Sequence, residues 1–393
     1  MVKKIIIIGN GAAGNAALEE LLKQDDDFDI TVITKENADV YYRPMLSEYI
    51  SEPATPKRFY LHDAEWYRSH KIKVLSTTTV ISIDLLAKQI ILSDLSRLDY
   101  DKLLIATGSY NFIPPTLGSE LEGVYSLRTL ADANSIKSSA KQCKNAVIIG
   151  GGLLGLELGW QLKKLNINVT VLEMQDRLLP RQLDEEASLF FEKKVLDAGI
   201  NVLKQTELKE IIGDKKVSGA LLKSGETLPC DMLLFSIGIR ADISLAQTAN
   251  LSTVRGIVVD EYLRTSNRDI YAAGDCAEYQ GINYAIWPEA MLQGKIAGLN
   301  MAGVETLYGG LVPFNIYQGM NLRLFSMGDI GSNPALEYII ADYHRENHFE
   351  RYFFVNNKIV GGIIIGDIAH STLLKKSISD QLDRESFEQK LKS

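Results

Sequence analysis

Residues 3–14 read Lys3-Lys4-Ile5-Ile6-Ile7-Ile8-Gly9-Asn10-Gly11-Ala12-Ala13-Gly14. An apolar strand pattern from Lys3 to Gly9 runs into a glycine-rich turn. A helix pattern follows from Ala12 to Lys23 and a second strand pattern from Asp29 to Thr34, which together make a βαβ unit. In this Gly-x-Gly-x-x-Gly turn the bare backbone lets a pyrophosphate approach the amide N–H groups at the helix N-terminus. Gly9, Gly11, Ala12, Ala13 and Gly14 are therefore candidate nucleotide-binding residues. Glu36, 22 residues after Gly14, is placed to accept hydrogen bonds from a ribose diol.

The same order recurs at Asn145 to Gly150, Leu153 to Lys164 and Asn168 to Glu173, and two copies in one chain predict two nucleotide domains. The stretch VIIGGGLLGLELG supplies Gly150, Gly152, Leu153, Leu154 and Gly155 as a second cradle. Glu173 ends the following strand, where a carboxylate suits the free 2′-hydroxyl of NADH and repels the 2′-phosphate of NADPH.

Short strands follow one another from Asn201 to Ser236, and another strand, GIVVDEYLRTS, begins at Gly256 and leads to DIYAAGD. The first domain is thus expected to be discontinuous, covering 1–112 and 245–308, with the second covering 113–244. From 309 to 393 the pattern changes to alternating strands, LRLFSMGDI, ALEYIIAD, FERYFFVN and KIVGGIIIGD, with a hairpin at Asn356-Asn357-Lys358. Two short helices, near Ala369 to Ser377 and Ser379 to Lys392, close a small α+β domain. The predicted fold class is α/β, with two Rossmann-like nucleotide-binding domains and this C-terminal α+β domain.

Length and composition fit that division. A chain of 393 residues predicts two or three domains, and 46% apolar with 23% charged residues is a globular balance. Against 42 basic residues stand 50 acidic ones, with no basic tail, which excludes nucleic acid as a partner. The apolar run Ile5 to Ile8 is too short for a signal peptide and Ile359 to Ile365 is too short to cross a bilayer. Cytoplasmic residence without membrane contact is expected. Cys143, Cys230 and Cys276 form no CxxC and no metal-ligand spacing, so they are read as small buried hydrophobes and no metal is expected.

Two further segments fit no enzyme with one nucleotide: YDKLLIATGS, with Ala106-Thr107-Gly108, and TSNRDIYAAGDCAE, with Gly274-Asp275. They resemble the two extra fingerprints of the FAD-dependent pyridine-nucleotide oxidoreductases. The resemblance implies that Ala106, Thr107 and Gly108 mark the strand leaving the FAD domain and that Asp275, after Gly274, binds the ribityl chain. Gly238 is counted with the cofactor-binding residues. Trp287-Pro288 precedes the helix pattern EAMLQGKIAGLNMAG, and the resemblance implies that this helix aims its N-terminus, with Trp287, at the flavin.

The stretch Tyr41 to Ser51, YYRPMLSEYIS, resembles the RPxLS segment of NADH-dependent rubredoxin and ferredoxin reductases, which implies that Arg43 and Pro44 line the FAD. No cysteine precedes Cys143, so a thiol relay is excluded. Ferredoxin reductases usually carry a lysine after RPxLS, paired with the glutamate of the second glycine motif, here Glu157. This chain has Glu48 instead. Glu48 and Glu157 are expected to share one partly buried site beside the flavin, with one of them protonated near neutral pH.

The likeness runs strongly to Gly309 and weakly beyond, and the flavin domain of assimilatory nitrite reductases is similar as well. It implies FAD and NADH as cofactors, hydride transfer from NADH to FAD, and single electrons passed to a small iron–sulfur or rubredoxin-type protein, with rubredoxin favoured. An NADH oxidase using O₂ is one alternative. A redox-sensing FAD/NADH binding protein is another, and no long basic insertion after Gly309 supports it. The acceptor, its docking surface and the oligomeric state follow no spacing rule.

Overall fold

A computed structural model describes residues 2–24 and 27–392 of the chain. Its first sheet has the parallel strand order 270–272, 102–105, 3–8, 28–33, 73–75. Ile5 and Ile7 are fully buried, as an inner parallel strand covered on both faces requires. The strand Ile270–Ala272 lies far along the chain from its neighbour Lys102–Ile105, so the polypeptide leaves this sheet and returns to it.

On one face the helices Ala12–Leu21 and Trp287–Ala302 cross so closely that side chains are excluded at the contact. A Cβ on Gly294 would lie 2.1 Å from the Ala13 carbonyl oxygen, and one on Gly298 would lie 2.7 Å from that of Ala17. The N-termini of the two helices are thereby held beside the same glycine-rich turn.

The second sheet is also parallel, in the order 201–203, 168–172, 145–149, 232–235, 124–126. Antiparallel three-strand meanders, within Val80–Asp99 and Leu208–Pro229, accompany the two sheets. The helix Leu153–Lys164 has the span its sequence pattern predicts, and Ala12–Leu21 stops two residues short of Lys23.

From Phe314 to Gly366 five antiparallel strands form a third sheet in the order 314–319, 322–328, 358–366, 348–355, 339–345. Asn356 and Asn357 both have positive φ, as the hairpin predicts. The strand Phe314–Gly319 is not marked by the sequence pattern, nor is its hairpin through Met320 and Asn321, which adopts the same left-handed conformation. Helices Ser371–Ser379 and Arg384–Leu391 cover one face through Leu374 and Phe387. The other face packs Tyr317, Phe349, Phe353 and Ile363 into a core shared with Phe191 and Leu158 of the second unit. At that junction Arg351 donates to Asp184 and to Asp342, each at 2.6 Å, and so pins the sheet to the helix Glu185–Asp197. Among the described residues no helix is long and apolar enough to cross a membrane.

Candidate functional site

Both glycine turns have one construction. Gly9 and Gly150 sit at φ +110° and +111°, and a Cβ on either would lie 2.1 and 2.3 Å from a carbonyl oxygen of the neighbouring strand end, Ala106 and Ser236 respectively. Gly14 and Gly155 let each helix pass over its own turn, where a Cβ would lie 1.9 Å from the Gly9 oxygen and 2.2 Å from the Gly150 oxygen. Gly11 and Gly152 are different: nothing stands within 4 Å of a Cβ on either. Each begins a helix with no side-chain cap, leaving backbone N–H donors facing open space. A dinucleotide pyrophosphate fits both positions.

The first turn opens into a cavity of about 670 Å³. Gly9, Gly11, Ala12 and Ala13 form its floor, Glu36, Arg43 and Pro44 one side, and Ala106, Thr107 and Gly108 another. Gly274, Asp275 and Trp287 close it from the returning chain, and Leu154 and Glu157 reach it from the second unit. Gly14 is buried beneath the floor.

Glu36 is held in place, accepting from Tyr41 Oη at 2.6 Å and from Arg43 Nη2 at 2.7 Å. Arg43 also donates to the Arg128 carbonyl. Asp275 accepts from Arg128 Nη2 at 2.7 Å and from Ser109 Oγ at 2.8 Å, while the Thr107 hydroxyl donates to the Asp242 carbonyl at 2.8 Å. Gly274 donates its N–H to Gln293 Oε1 at 2.8 Å.

The second cradle does not line this cavity through Gly150 or Gly152. Glu173 turns inward and accepts from the N–H groups of Gly151 and Gln175, both at 2.8 Å. Gly238, at φ +101° with nothing near its Cβ position, accepts from the Phe112 N–H at 3.0 Å.

The expected pairing of Glu48 with Glu157 is not what the structure contains. Glu48 is exposed, whereas Ser47, its neighbour on the helix Leu46–Ser51, is buried and donates to Glu157 Oε2 at 3.4 Å. Adjacent helix residues point about 100° apart, so only one of them can face the helix Leu153–Lys164. Burial pushes the Glu157 carboxyl up to about 7, partly opposed by the Ser47 hydrogen bond, and Glu48 is not a cause. Glu48 instead lines a second cavity of about 890 Å³, which shares Pro44, Ser47, Glu157 and Trp287 with the first and is bounded by Leu153, Trp160 and Phe314.

None of the three cysteines lines either cavity. All three are free, and burial raises the thiols of Cys143 and Cys230 to about 11 and about 12 and that of Cys276 upward.

A family model described as pyridine nucleotide-disulphide oxidoreductase matches residues 3–294. The chain belongs to that family. A second model, the rubredoxin NAD+ reductase C-terminal domain, matches residues 313–382, so the likeness extends well past Gly309, where the sequence alone reads as weakly similar.

The nitrite reductase [NAD(P)H] of Bacillus subtilis is 33% identical over 384 residues, 97% of this chain and 48% of the relative. The NADH-rubredoxin oxidoreductase of Clostridium acetobutylicum is 31% identical over 376 residues, covering 95% of this chain and 94% of that one. The solved NADH:rubredoxin oxidoreductase from Clostridium acetobutylicum superposes with a TM-score of 0.82 at 29% identity, over 98% of this chain and 96% of its own. The chain spans about half the length of the nitrite and nitrate reductase relatives it matches, 48% and 50%.

Several site residues escaped the sequence reading. Arg128 and Ser109 hold Asp275, Tyr41 holds Glu36, and Ser47 meets Glu157. For Arg128 a signal exists: Thr129 and Asp132 form a capping box, which marks the start of the helix Leu130–Ala140 and places the preceding residue at a helix entrance.

Proposed function

We propose that this chain is an NADH-dependent flavoprotein reductase that passes single electrons to a small iron–sulfur or rubredoxin-type protein, with rubredoxin the favoured acceptor. FAD and NADH are its cofactors. Residues 1–112 and 245–308 hold FAD, residues 113–244 hold NADH, and residues 309–393 complete the wall near Glu157. The observation that carries the reading is the pair of like glycine cradles, one walled into a cavity of about 670 Å³ whose far side is Leu154 and Glu157 of the other unit. One nucleotide is enclosed, and the second is aimed at it.

In this reading the N–H groups at Gly11 and Gly152 bind the two pyrophosphates, Glu36 and Glu173 take ribose hydroxyls, and Asp275 takes the polyol. Arg43, Pro44, Trp287 and the Trp287–Ala302 helix N-terminus orient the ring system and offer it positive potential. The flavin supplies hydride acceptance and single-electron release when bound, and the protein supplies orientation and exclusion of water. No thiol takes part. Cytoplasmic residence belongs to the same proposal.

The test is anaerobic NADH oxidation by the FAD-loaded protein with rubredoxin, ferredoxin and, separately, O₂. Rapid reduction of rubredoxin is expected, slowed by salt as charge pairing at the docking surface is screened. Fast turnover with O₂ and none with either iron protein overturns the acceptor assignment and leaves an oxidase.

A further inference from the structure

Glu157 lies where three parts of the chain meet. It sits on the helix Leu153–Lys164 of the second unit and touches Ser47 of the first, and its helix packs on the first strand of the C-terminal sheet, which carries Tyr317 within reach of the Glu157 charge. It lines both cavities. Tyr317 is fully buried, edge-on to Phe191 at 5.3 Å between centroids, and its hydroxyl has no hydrogen-bond partner. A buried hydroxyl without a partner is costly and calls for a reason. Burial, with the Glu157 charge behind it, holds the Tyr317 phenol in its protonated form, so it remains a donor.

A hydride carries two electrons and one proton. When the two electrons leave singly to a one-electron acceptor, the proton left behind from each NADH must pass to a base and then to water. We propose that Glu157 is the base that holds this proton between the two cavities, and that Tyr317 is its positioning residue, turning its free O–H to the carboxylate when Glu157 is ionised. The inference rests on the flavoenzyme reading for the origin of the proton. Its proton site stands on Ser47, Glu157 and Tyr317.

The surroundings agree with that role. The carboxyl is poised near neutral pH, where a group both takes and releases a proton readily. Burial sets its affinity for the proton, and Ser47 opposes burial. The charged groups of the second cavity, Glu48 on the Leu46–Ser51 helix, Lys164 at the end of the Leu153–Lys164 helix and Arg323 on the strand Leu322–Gly328, do not contribute to the shift. The exposed Glu48 and Lys164 line that cavity together with Glu157, and this is the side on which the proposed proton leaves.

The experiment is an infrared pH titration of the full chain, with and without FAD, following the C=O stretch of a protonated carboxyl. The band is expected to disappear through neutral pH and to be absent from Glu157→Gln. A donor to the carboxylate favours ionisation, so Tyr317→Phe raises the midpoint by about half a pH unit, and Ser47→Ala raises it by a similar or smaller amount. In the FAD-loaded protein, the pH profile for reoxidation of NADH-reduced enzyme by ferricyanide shifts upward by the same amount in Tyr317→Phe.

No titrating band assigned to Glu157 overturns the proton site. A midpoint unmoved in Tyr317→Phe, or an infrared shift without a matching shift in the ferricyanide profile, overturns the role given to Tyr317 or to Glu157 in turnover. Should Tyr317→Phe fold poorly, Ser47→Ala carries the same comparison. Failure of the chain to bind FAD sinks the flavoenzyme reading instead, and the flavin-free titration still decides whether Glu157 holds a proton.

Discussion

The two glycine cradles differ in their roofs and hardly at all in their floors. Gly9 matches Gly150 in φ to within a degree, Gly14 matches Gly155 in its contact with the turn, and Gly11 matches Gly152 in facing open space. Around the first, residues from three distant segments converge: Arg43, Arg128, and Asp275 with Trp287. Around the second, Glu173 folds back onto Gly151, and neither Gly150 nor Gly152 lines either of the two cavities. In the proposed reading the local βαβ sequence builds each pyrophosphate site, and the long-range packing around the first retains its nucleotide. That division suits a retained flavin and a substrate nucleotide that comes and goes.

The sharpest way to break the comparison is to fill the open space in each cradle. Gly11 and Gly152 have φ of −95° and −82°, which alanine adopts freely, so Gly11→Ala and Gly152→Ala leave the fold intact. In Gly152→Ala the new methyl group stands where the NADH pyrophosphate approaches, and kcat/KM for NADH is expected to fall about 100-fold, roughly 2.7 kcal/mol, with full flavin content. In Gly11→Ala, flavin stoichiometry falls instead. Loss of flavin from Gly152→Ala, measured by absorbance, would reverse the assignment of the cradles.

The roof is tested through Arg128, which comes from the segment assigned to the NADH unit and donates to Asp275 of the FAD unit. Removing one partner of a partly buried pair leaves the other charge unpaired. Arg128→Gln is expected to weaken FAD retention about 20-fold, roughly 1.8 kcal/mol, while the KM for NADH stays within a factor of about two. Equal FAD affinity in wild type and variant would mean that the roof is only steric.

What was legible in the sequence follows the same division. The paired strand, turn and helix patterns locate both cradles because hydrophobic period and glycine spacing are local. The Asn356–Asn357 hairpin is likewise written in adjacent residues. The Met320–Asn321 hairpin was not, because Met320 gives no turn signal although it takes the same φ. Arg128, Ser109 and Tyr317 were missed for another reason: each acts on a residue brought near only by the fold. Glu48 shows the limit most plainly. The RPxLS spacing pointed to the right helix, but one residue of rotation separates the buried Ser47 from the exposed Glu48.

A smaller effect concerns which nucleotide the open cradle accepts. Glu173 has its carboxylate at the end of the strand and close to the turn, where in the proposed reading a 2′-phosphate meets like charge. NADH is expected to be favoured over NADPH by at least about tenfold in kcat/KM, roughly 1.4 kcal/mol. Glu173→Ala should narrow that ratio, although the loss of the hydrogen bonds to Gly151 and Gln175 also loosens the turn. Equal rates with both nucleotides in the wild type would remove Glu173 from specificity.

The smallest effect separates the cradles by pH, because a buried acid lies behind the first, on the helix that carries Trp287. Glu289, in the first turn of the Trp287–Ala302 helix, is 1% exposed, accepts from the Tyr308 hydroxyl through one oxygen and has no partner for the other. Gln293 donates to that same Tyr308 hydroxyl at 3.2 Å and accepts from Gly274 at 2.8 Å, so the acid connects to the flavin fingerprint through two side chains. Burial raises its carboxyl from 4.5 to about 7. Between those values the folded protein keeps a proton that the unfolded chain has lost. Its stabilising contribution is therefore complete below 4.5 and is lost as pH rises through about 7. From about pH 6 to pH 7 the loss is on the order of 1 kcal/mol. Glu157 adds a slope of the same sign, so Glu289→Gln should flatten the wild-type curve without levelling it. Urea denaturation of the FAD-loaded protein at a series of pH values checks this, and parallel curves for wild type and Glu289→Gln would show that Glu289 does not titrate with folding.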